Sequence, residues 1–256
     1  GVYGSARFHT SAKRNEIRAH VGAEVSVSSF GSRLTPPAWL PHQHLAEPAR
    51  LPLLCESREG YQNLCQLLTR FKMRETTKQE GAANFADLAQ YGSGLVCLTG
   101  GEEGPLAAAL MRGGEEAGRE TVERMVRIFG PKNVYVELQR HQEREEEWRN
   151  QAAIRIARSL KLPVLATNGV RYATAYDSEI LDLFTAVRNH TELDHAGRLL
   201  SLNRQRHLRS AHEMTTLFRD VHSAIENTVD LSSRLTFELD DLGYEFPRYP
   251  VPDNDT

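Results

Sequence analysis

Five short apolar segments, each followed by a stretch with helical spacing of apolar residues, constrain the fold of this 256-residue chain more than any other feature. Each segment has the length of a β-strand, is rich in apolar or branched residues, and is bounded by Gly, Pro or Asn. The five segments are residues 21–27, 51–55, 95–98, 134–138 and 164–166. Strands that alternate with helices in this way predict βαβ units, and therefore an α/β fold with a parallel sheet or barrel.

Apolar stripes predict the helices between these strands. Residues 61–71, 122–129 and 148–160 repeat apolar side chains every three or four positions, which places them on one helix face. Trp148 belongs to the last of these stripes. Beyond residue 175 the strand signals stop, and two capping patterns predict helix starts. These patterns are Thr174-x-x-Asp177 and Ser210-x-x-Glu213.

The same signals divide the chain into three parts. Residues 1–175 carry the strand–helix alternation of a barrel, and residues 176–235 form a helical extension. Residues 236–256 are acidic and contain three prolines, a composition that is typical of a linker.

Composition and charge exclude several classes of protein. The chain has 31 basic and 34 acidic residues, a formal net charge of -3, whereas dedicated nucleic-acid-binding domains are usually basic. It has no apolar run long enough to span a membrane and no leader-like start, so we expect a cytoplasmic protein without membrane contact. Its three cysteines lack CxxC spacing and predict reduced core thiols. Because residue 1 is Gly and not Met, we expect a piece of a longer protein.

Isolated motifs do not amount to an active site. His42 and His44 have the spacing of a metal-binding pair, but their proline-rich loop has no Asp or Cys close by, which favours a solvated loop. The loop 99–105 lacks the Lys of a P-loop and carries two glutamates, which favours a tight strand–helix turn. Asp253 and Asp255 resemble a two-metal Asp-x-Asp motif, but they lie in the predicted linker.

Three further features allow both a structural and a functional interpretation. Glu24 interrupts an apolar strand, where an unpaired carboxylate is costly to bury, so it predicts either a salt bridge or a functional strand end. His141 follows a strand and could face the same edge, although a surface position at a helix start is the simpler interpretation. The basic run 204–209 could contact a phosphate backbone, although a solvated face is simpler.

The order of eight segments is more specific than any single motif. These segments are GVYGSARFH (1–9), VGAE (21–24), LLCESREGYQNLC (53–65), GLVCLTGG (94–101), VYVELQRH (134–141), ATNGVRY (166–172), HLRS (207–210) and DLGYEFPRYPVP (241–252). Together they resemble the N-terminal PHP (polymerase and histidinol phosphatase) domain of bacterial C-family DNA polymerases, the polymerase III alpha subunits. Residues 137–150 and 166–174 resemble the error-prone, damage-tolerant branch of that family.

The resemblance implies a distorted seven-stranded βα barrel. Its first two strands, which carry a His-x-His and an Asp-His-Asp type motif, would precede Gly1, so the five strands predicted here would be the third to the seventh. The helical extension and the acidic, proline-containing linker would follow the barrel. The palm with its Asp triad, the fingers and the clamp-binding region would lie beyond Thr256.

The resemblance also implies that the metal site of the family is degenerate in this chain. Glu24 matches an acidic ligand, whereas Arg50 stands at a His position and Gly101 at a Cys position. Gly169 and Arg171 stand at the positions of an Asp-x-His pair. Neither Gly nor Arg can ligate a metal, so we expect a structural barrel without a bound cofactor. If Glu24 is buried, Arg50 or Arg171 is its expected ion-pair partner.

The function implied by the resemblance is that of the N-terminal part of an error-prone DNA polymerase in translesion synthesis and DNA repair. No catalytic residue is expected in this chain, because Mg²⁺ would bind at the palm. The implied partners are the palm and thumb, DNA, the sliding clamp and mutagenesis accessory proteins. Two alternatives remain open: the PHP domain of a high-fidelity replicative alpha subunit, and a free-standing PHP phosphoesterase.

Overall fold

A five-stranded sheet forms the centre of the fold in a computed structural model, which describes residues 1–28, 48–74 and 81–243 of the chain. The strands are β1 (Gly22–Val27), β2 (Ala49–Cys55), β3 (Leu95–Leu98), β4 (Val134–Leu138) and β5 (Val164–Ala166). They lie side by side in chain order, and each coincides with one of the predicted apolar segments. The predicted positions of the strands are therefore confirmed.

Eight α-helices surround this sheet in the described ranges. They are α1 (Ser5–Arg14), α2 (Arg58–Arg74), α3 (Phe85–Tyr91), α4 (Pro105–Phe129), α5 (Arg144–Leu160), α6 (Ser178–Arg188), α7 (Ala211–Leu217) and α8 (His222–Arg234). Both predicted capping boxes form, one at the turn that leads into α6 and one at the start of α7. None of these helices is long and apolar enough to cross a membrane.

The directions of the strands differ from the prediction. Strand β2 runs antiparallel to β1 and to β3, whereas β3, β4 and β5 are parallel, so the sheet is mixed. A single helix between strands returns the chain to the opposite end of the sheet, as α4 and α5 do. Between β2 and β3 the chain forms two helices, α2 and α3, and therefore re-enters the sheet at the end where β2 leaves it. Since β1 does not pair with β5 in the described part, the closed barrel stays a prediction.

Apolar layers cover both faces of the sheet. One layer packs α2, α4 and α5 against side chains such as those of Leu53, Cys97 and Val136. The other layer places Leu231 of α8 and Leu235 against the opposite face. The strand residues of this second layer are Val96, Leu98, Tyr135 and Leu165. Because both faces are buried, the strand segments are nearly continuous apolar runs.

Two local features depart from a simple interpretation of the sequence. Ala152 and Ile156 of α5 are buried as their stripe predicts, but Trp148, one turn earlier, is 55% exposed. The first residues of the predicted linker pack on the domain: the ring of Phe237 stacks on Tyr61 at a centroid distance of 5.1 Å. The rest of that segment, residues 244–256, lies outside the described ranges.

Candidate functional site

The carboxyl ends of four strands meet at one edge of the sheet. Because β2 is antiparallel to both of its neighbours, β1 points in the same direction as β3, β4 and β5. The loops after β3, β4 and β5 therefore lie together with the start of β2, the place where α/β folds gather functional side chains. The predicted ligand positions on these elements are Glu24 on β1, Arg50 on β2, Gly101 after β3, and Gly169 and Arg171 after β5.

Two of these positions, both glycines, lie against a single side chain. A Cβ atom on Gly101 would overlap the side-chain oxygen of Gln139, which follows β4. A Cβ atom on Gly169 would lie 2.9 Å from the same oxygen and 3.0 Å from Nη1 of Arg206. Gln139 and Arg206 therefore occupy the space into which larger side chains at these two positions would project.

A buried carboxyl group lies next to Gln139. Glu137, near the end of β4, is 8% exposed. Its Oε1 accepts hydrogen bonds from Gln139 at 2.8 Å and from the Thr167 hydroxyl at 2.5 Å, while Oε2 has no partner among the described residues. The pKa of Glu137 is raised, mainly because burial disfavours its charged form. The hydrogen bonds from Thr167 and Gln139 lower this pKa and the carboxylate of Glu24 raises it, but burial outweighs the hydrogen bonds.

Two arginines at this edge are paired with glutamates of the loop after β3. The guanidinium of Arg206 lies 2.7 Å from Glu102, and that of Arg171 lies 2.7 Å from Glu103. Glu24 is exposed, so the buried ion pair expected for it does not form. The condition for that pair, a buried Glu24, is not met, and the carboxylates of the 99–105 turn neutralise Arg171 instead.

The interpretation of His141 as a surface residue is wrong. Its ring is fully buried, with Nδ1 2.7 Å from Glu146 Oε1 and Nε2 2.9 Å from the carbonyl oxygen of Asn168. The backbone N–H of His141 also donates to Glu146. Burial alone would raise the pKa of Glu146, but these hydrogen bonds outweigh it and the pKa is lowered. The pair links the β4–α5 turn to the segment after β5.

The basic run 204–209 is divided between a buried and an exposed arginine. Within the run 204–209, Arg206 is only 6% exposed, so the prediction of a solvated face is wrong for that residue, whereas Arg204 forms an exposed pair with Glu179. In the part of the chain that the structure describes, no three His, Cys, Asp or Glu side chains converge as metal ligands. The candidate motifs outside the described residues are His42, His44, Asp253 and Asp255.

Comparison with known protein families identifies the family to which this chain belongs. The family model of the PHP domain matches residues 1–141, and the chain therefore belongs to the PHP domain family.

Individual relatives narrow the relationship to DNA polymerases. The chain is 34% identical over 202 residues to the error-prone DNA polymerase of Brucella abortus biovar 1 (strain 9-941). This aligned region covers 78% of this chain and 18% of the relative. It is 30% identical over 259 residues to the error-prone DNA polymerase of Anaeromyxobacter dehalogenans (strain 2CP-C), with 98% and 20% covered. It is 27% identical over 250 residues to the DNA polymerase III subunit alpha of Vibrio cholerae serotype O1, with 97% and 20% covered. The chain thus spans about a fifth of the length of these relatives.

Proposed function

We propose that this chain is the N-terminal PHP domain of an error-prone DNA polymerase and that it acts there as a structural domain without phosphoesterase activity. The relatives of both polymerase types support the polymerase assignment. The sequence of residues 137–150 and 166–174 favours the error-prone branch. Nucleotidyl transfer would take place at Mg²⁺ ions held by carboxylates of a palm domain elsewhere in the polymerase, so no residue of this chain is assigned a catalytic role.

The observation that carries the structural role is the filling of the ligand positions by Gln139 and Arg206. Zn²⁺ or Mn²⁺ needs three or four converging donors, whereas Gly101 and Gly169 supply no side-chain donor and Arg206 brings a positive charge. The side chains at this edge therefore do not fit a metal ion. Amide and guanidinium groups donate hydrogen bonds, so the cluster binds its own carboxylates, Glu137 and Glu102, in place of a cation.

The partners follow from this assignment. We propose that the domain contacts the palm and thumb of its polymerase, and that the whole enzyme binds DNA, the sliding clamp and mutagenesis accessory proteins in the cytoplasm. The near-balanced charge of the chain supports DNA binding through the rest of the enzyme more than through this domain.

Primer extension tests the polymerase assignment. We expect the full-length protein to extend a primed template with Mg²⁺ and to continue past an abasic site, while residues 1–256 alone extend nothing. Inability of the full-length protein to pass the lesion, together with accurate synthesis, would favour the replicative alternative. Extension by residues 1–256 that survives Asp253→Ala and Asp255→Ala would show that the active site is misplaced.

Elemental analysis of the full-length polymerase tests the state of the metal site. We expect no stoichiometric Zn²⁺ or Mn²⁺ and no hydrolysis of a phosphomonoester. Because Glu24 is exposed and forms no ion pair in the described part, Glu24→Gln should change the free energy of unfolding by less than about 0.5 kcal/mol. Phosphoesterase activity, together with bound metal that is lost in Glu24→Gln, would contradict the structural role and favour the phosphoesterase alternative.

A further inference from the structure

Helix α6 presents its apolar side chains to solvent. Ile180, Leu183, Phe184 and Val187 follow one another at positions i, i+3, i+4 and i+7, and each is between 54% and 65% exposed. The only residues of α6 that are buried are Ser178 and Ala186. A helix at the surface of a domain normally buries its apolar stripe against the core, whereas α6 exposes its apolar stripe to solvent.

One further aromatic side chain extends this surface. Tyr176, in the turn directly before α6, is 82% exposed and precedes Ile180 by four residues. We call the side chains of Tyr176, Ile180, Leu183, Phe184 and Val187 the α6 patch. Contiguous apolar surfaces of this kind mark interaction sites, whereas exposed apolar residues scattered singly do not.

The charges around the α6 patch indicate what kind of surface covers it. Residues 176–196 contain five acidic residues, of which Glu179 is paired with Arg204, and one arginine, Arg188, with no lysine. The acidic residues are Asp177, Glu179, Asp182, Glu192 and Asp194. Such a margin repels the phosphate backbone of DNA and attracts a protein surface with an apolar centre and basic edges.

We propose that the α6 patch is the surface through which this domain docks on the catalytic part of its own polymerase chain. The inference rests on the proposed function, under which about four fifths of the polymerase lies outside this domain, as in the relatives. A covalently connected partner is present at high effective concentration, so docking needs less contact area than it would between separate molecules.

The last described residues of the chain are anchored on α1 and α2. Residues 236–243 are held on the domain by Phe237, which stacks on Tyr61, and by Asp240, which pairs with Lys13 of α1. The α6 patch belongs to a different part of the chain, residues 176–187. Under the proposal, the chain connection that follows these residues and the α6 patch would together set the orientation of the domain relative to the catalytic part.

Site-specific labelling of the full-length polymerase tests this proposal. Phe184→Cys should react with a maleimide about tenfold more slowly than Trp148→Cys or Val229→Cys. The reason is that the docked catalytic part covers the α6 patch most of the time. The two control positions are 55% and 68% exposed and lie on α5 and α8. In urea, the three introduced cysteines should react at equal rates. Mass spectrometry identifies the labelled peptide in each variant.

Crosslinking identifies the occupant. With p-benzoylphenylalanine in place of Phe184, we expect a crosslink within one polymerase molecule to a peptide beyond Thr256. A crosslink between two molecules, a crosslink within residues 1–256, or labelling of Phe184→Cys as fast as Trp148→Cys would each overturn the proposal. Primer extension by the same preparation distinguishes failure of the docking proposal from failure of the proposed function. An active polymerase in which position 184 reacts freely overturns the docking proposal alone. An unmodified protein that is inactive overturns the proposed function.

Discussion

Glu146→Ala is expected to lower the free energy of unfolding of the domain by about 3–5 kcal/mol, the usual cost of removing one partner of a buried ionic pair. The carboxylate of Glu146 accepts from both the ring Nδ1 and the backbone N–H of His141, and both residues are buried. Its loss leaves two donors of His141 without an acceptor in the absence of water. Nε2 remains bonded to the carbonyl oxygen of Asn168, so the ring cannot turn to find another partner without a further loss.

A matched substitution on the surface separates this effect from a general loss of helix stability. Glu116→Ala, in α4, removes a glutamate whose partner is the exposed Arg119, and should cost far less than Glu146→Ala because exposed ion pairs contribute little to stability. Urea denaturation of the two variants and the parent chain measures both costs. If Glu146→Ala costs no more than Glu116→Ala, the His141–Glu146 pair does not contribute as its geometry implies.

The pH dependence provides an independent measurement of the same pair. The pKa of Glu146 is lowered in the folded state, so the stability that its ionised form contributes is fully present above its unfolded pKa of about 4.3. That contribution is lost as the pH falls through the lowered value of the folded state. The difference in stability between the parent and Glu146→Gln should therefore shrink as the pH falls below about 4. A difference that grows on acidification would contradict the lowered pKa.

The sequence specifies the strands well and their directions poorly, for a physical reason. Strands buried on both faces are nearly continuous apolar runs, which can be recognised locally. The direction of β3 depends on whether one helix or two precede it, and α3, with only seven residues, has no long apolar stripe. Its start does carry a capping box between Asn84 and Asp87, a local signal from which α3 could have been predicted.

The candidate site shows a different kind of difficulty. The ligand positions were identified through a family resemblance, but the side chains that fill the site come from elsewhere in the chain. Arg206 meets Glu102 and Arg171 meets Glu103 across long sequence separations, and no periodic pattern reports such contacts. His141 precedes a stretch of charged residues that is typical of a surface helix start, which conceals its burial from any local interpretation.

Gly60→Ala is expected to destabilise the domain by about 2 kcal/mol, through a backbone contact that a single methyl group would disrupt. Gly60 lies in the first turn of α2, and a Cβ atom there would overlap the carbonyl oxygen of Gly94 and lie 2.6 Å from its carbonyl carbon. Overpacking of this kind costs up to about 3 kcal/mol, and the better helix propensity of Ala offsets about 1 kcal/mol of it. Gly94 cannot move away freely, because its oxygen accepts a hydrogen bond of 3.0 Å from the backbone N–H of Glu56.

The control for this prediction is Gly4→Ala, because a Cβ atom on Gly4 meets no atom within 4 Å. Its cost should stay below about 1 kcal/mol, the scale of a changed helix cap. Gly94→Ala should cost at least as much as Gly60→Ala, since it adds a methyl group at the same contact and requires a φ of 71°. The contact joins the start of α2 to the start of β3, and so holds the two-helix connection that makes β3 antiparallel to β2. Urea unfolding of Gly60→Ala at the midpoint of Gly4→Ala would mean that the contact between Gly60 and Gly94 does not constrain the backbone as its geometry implies.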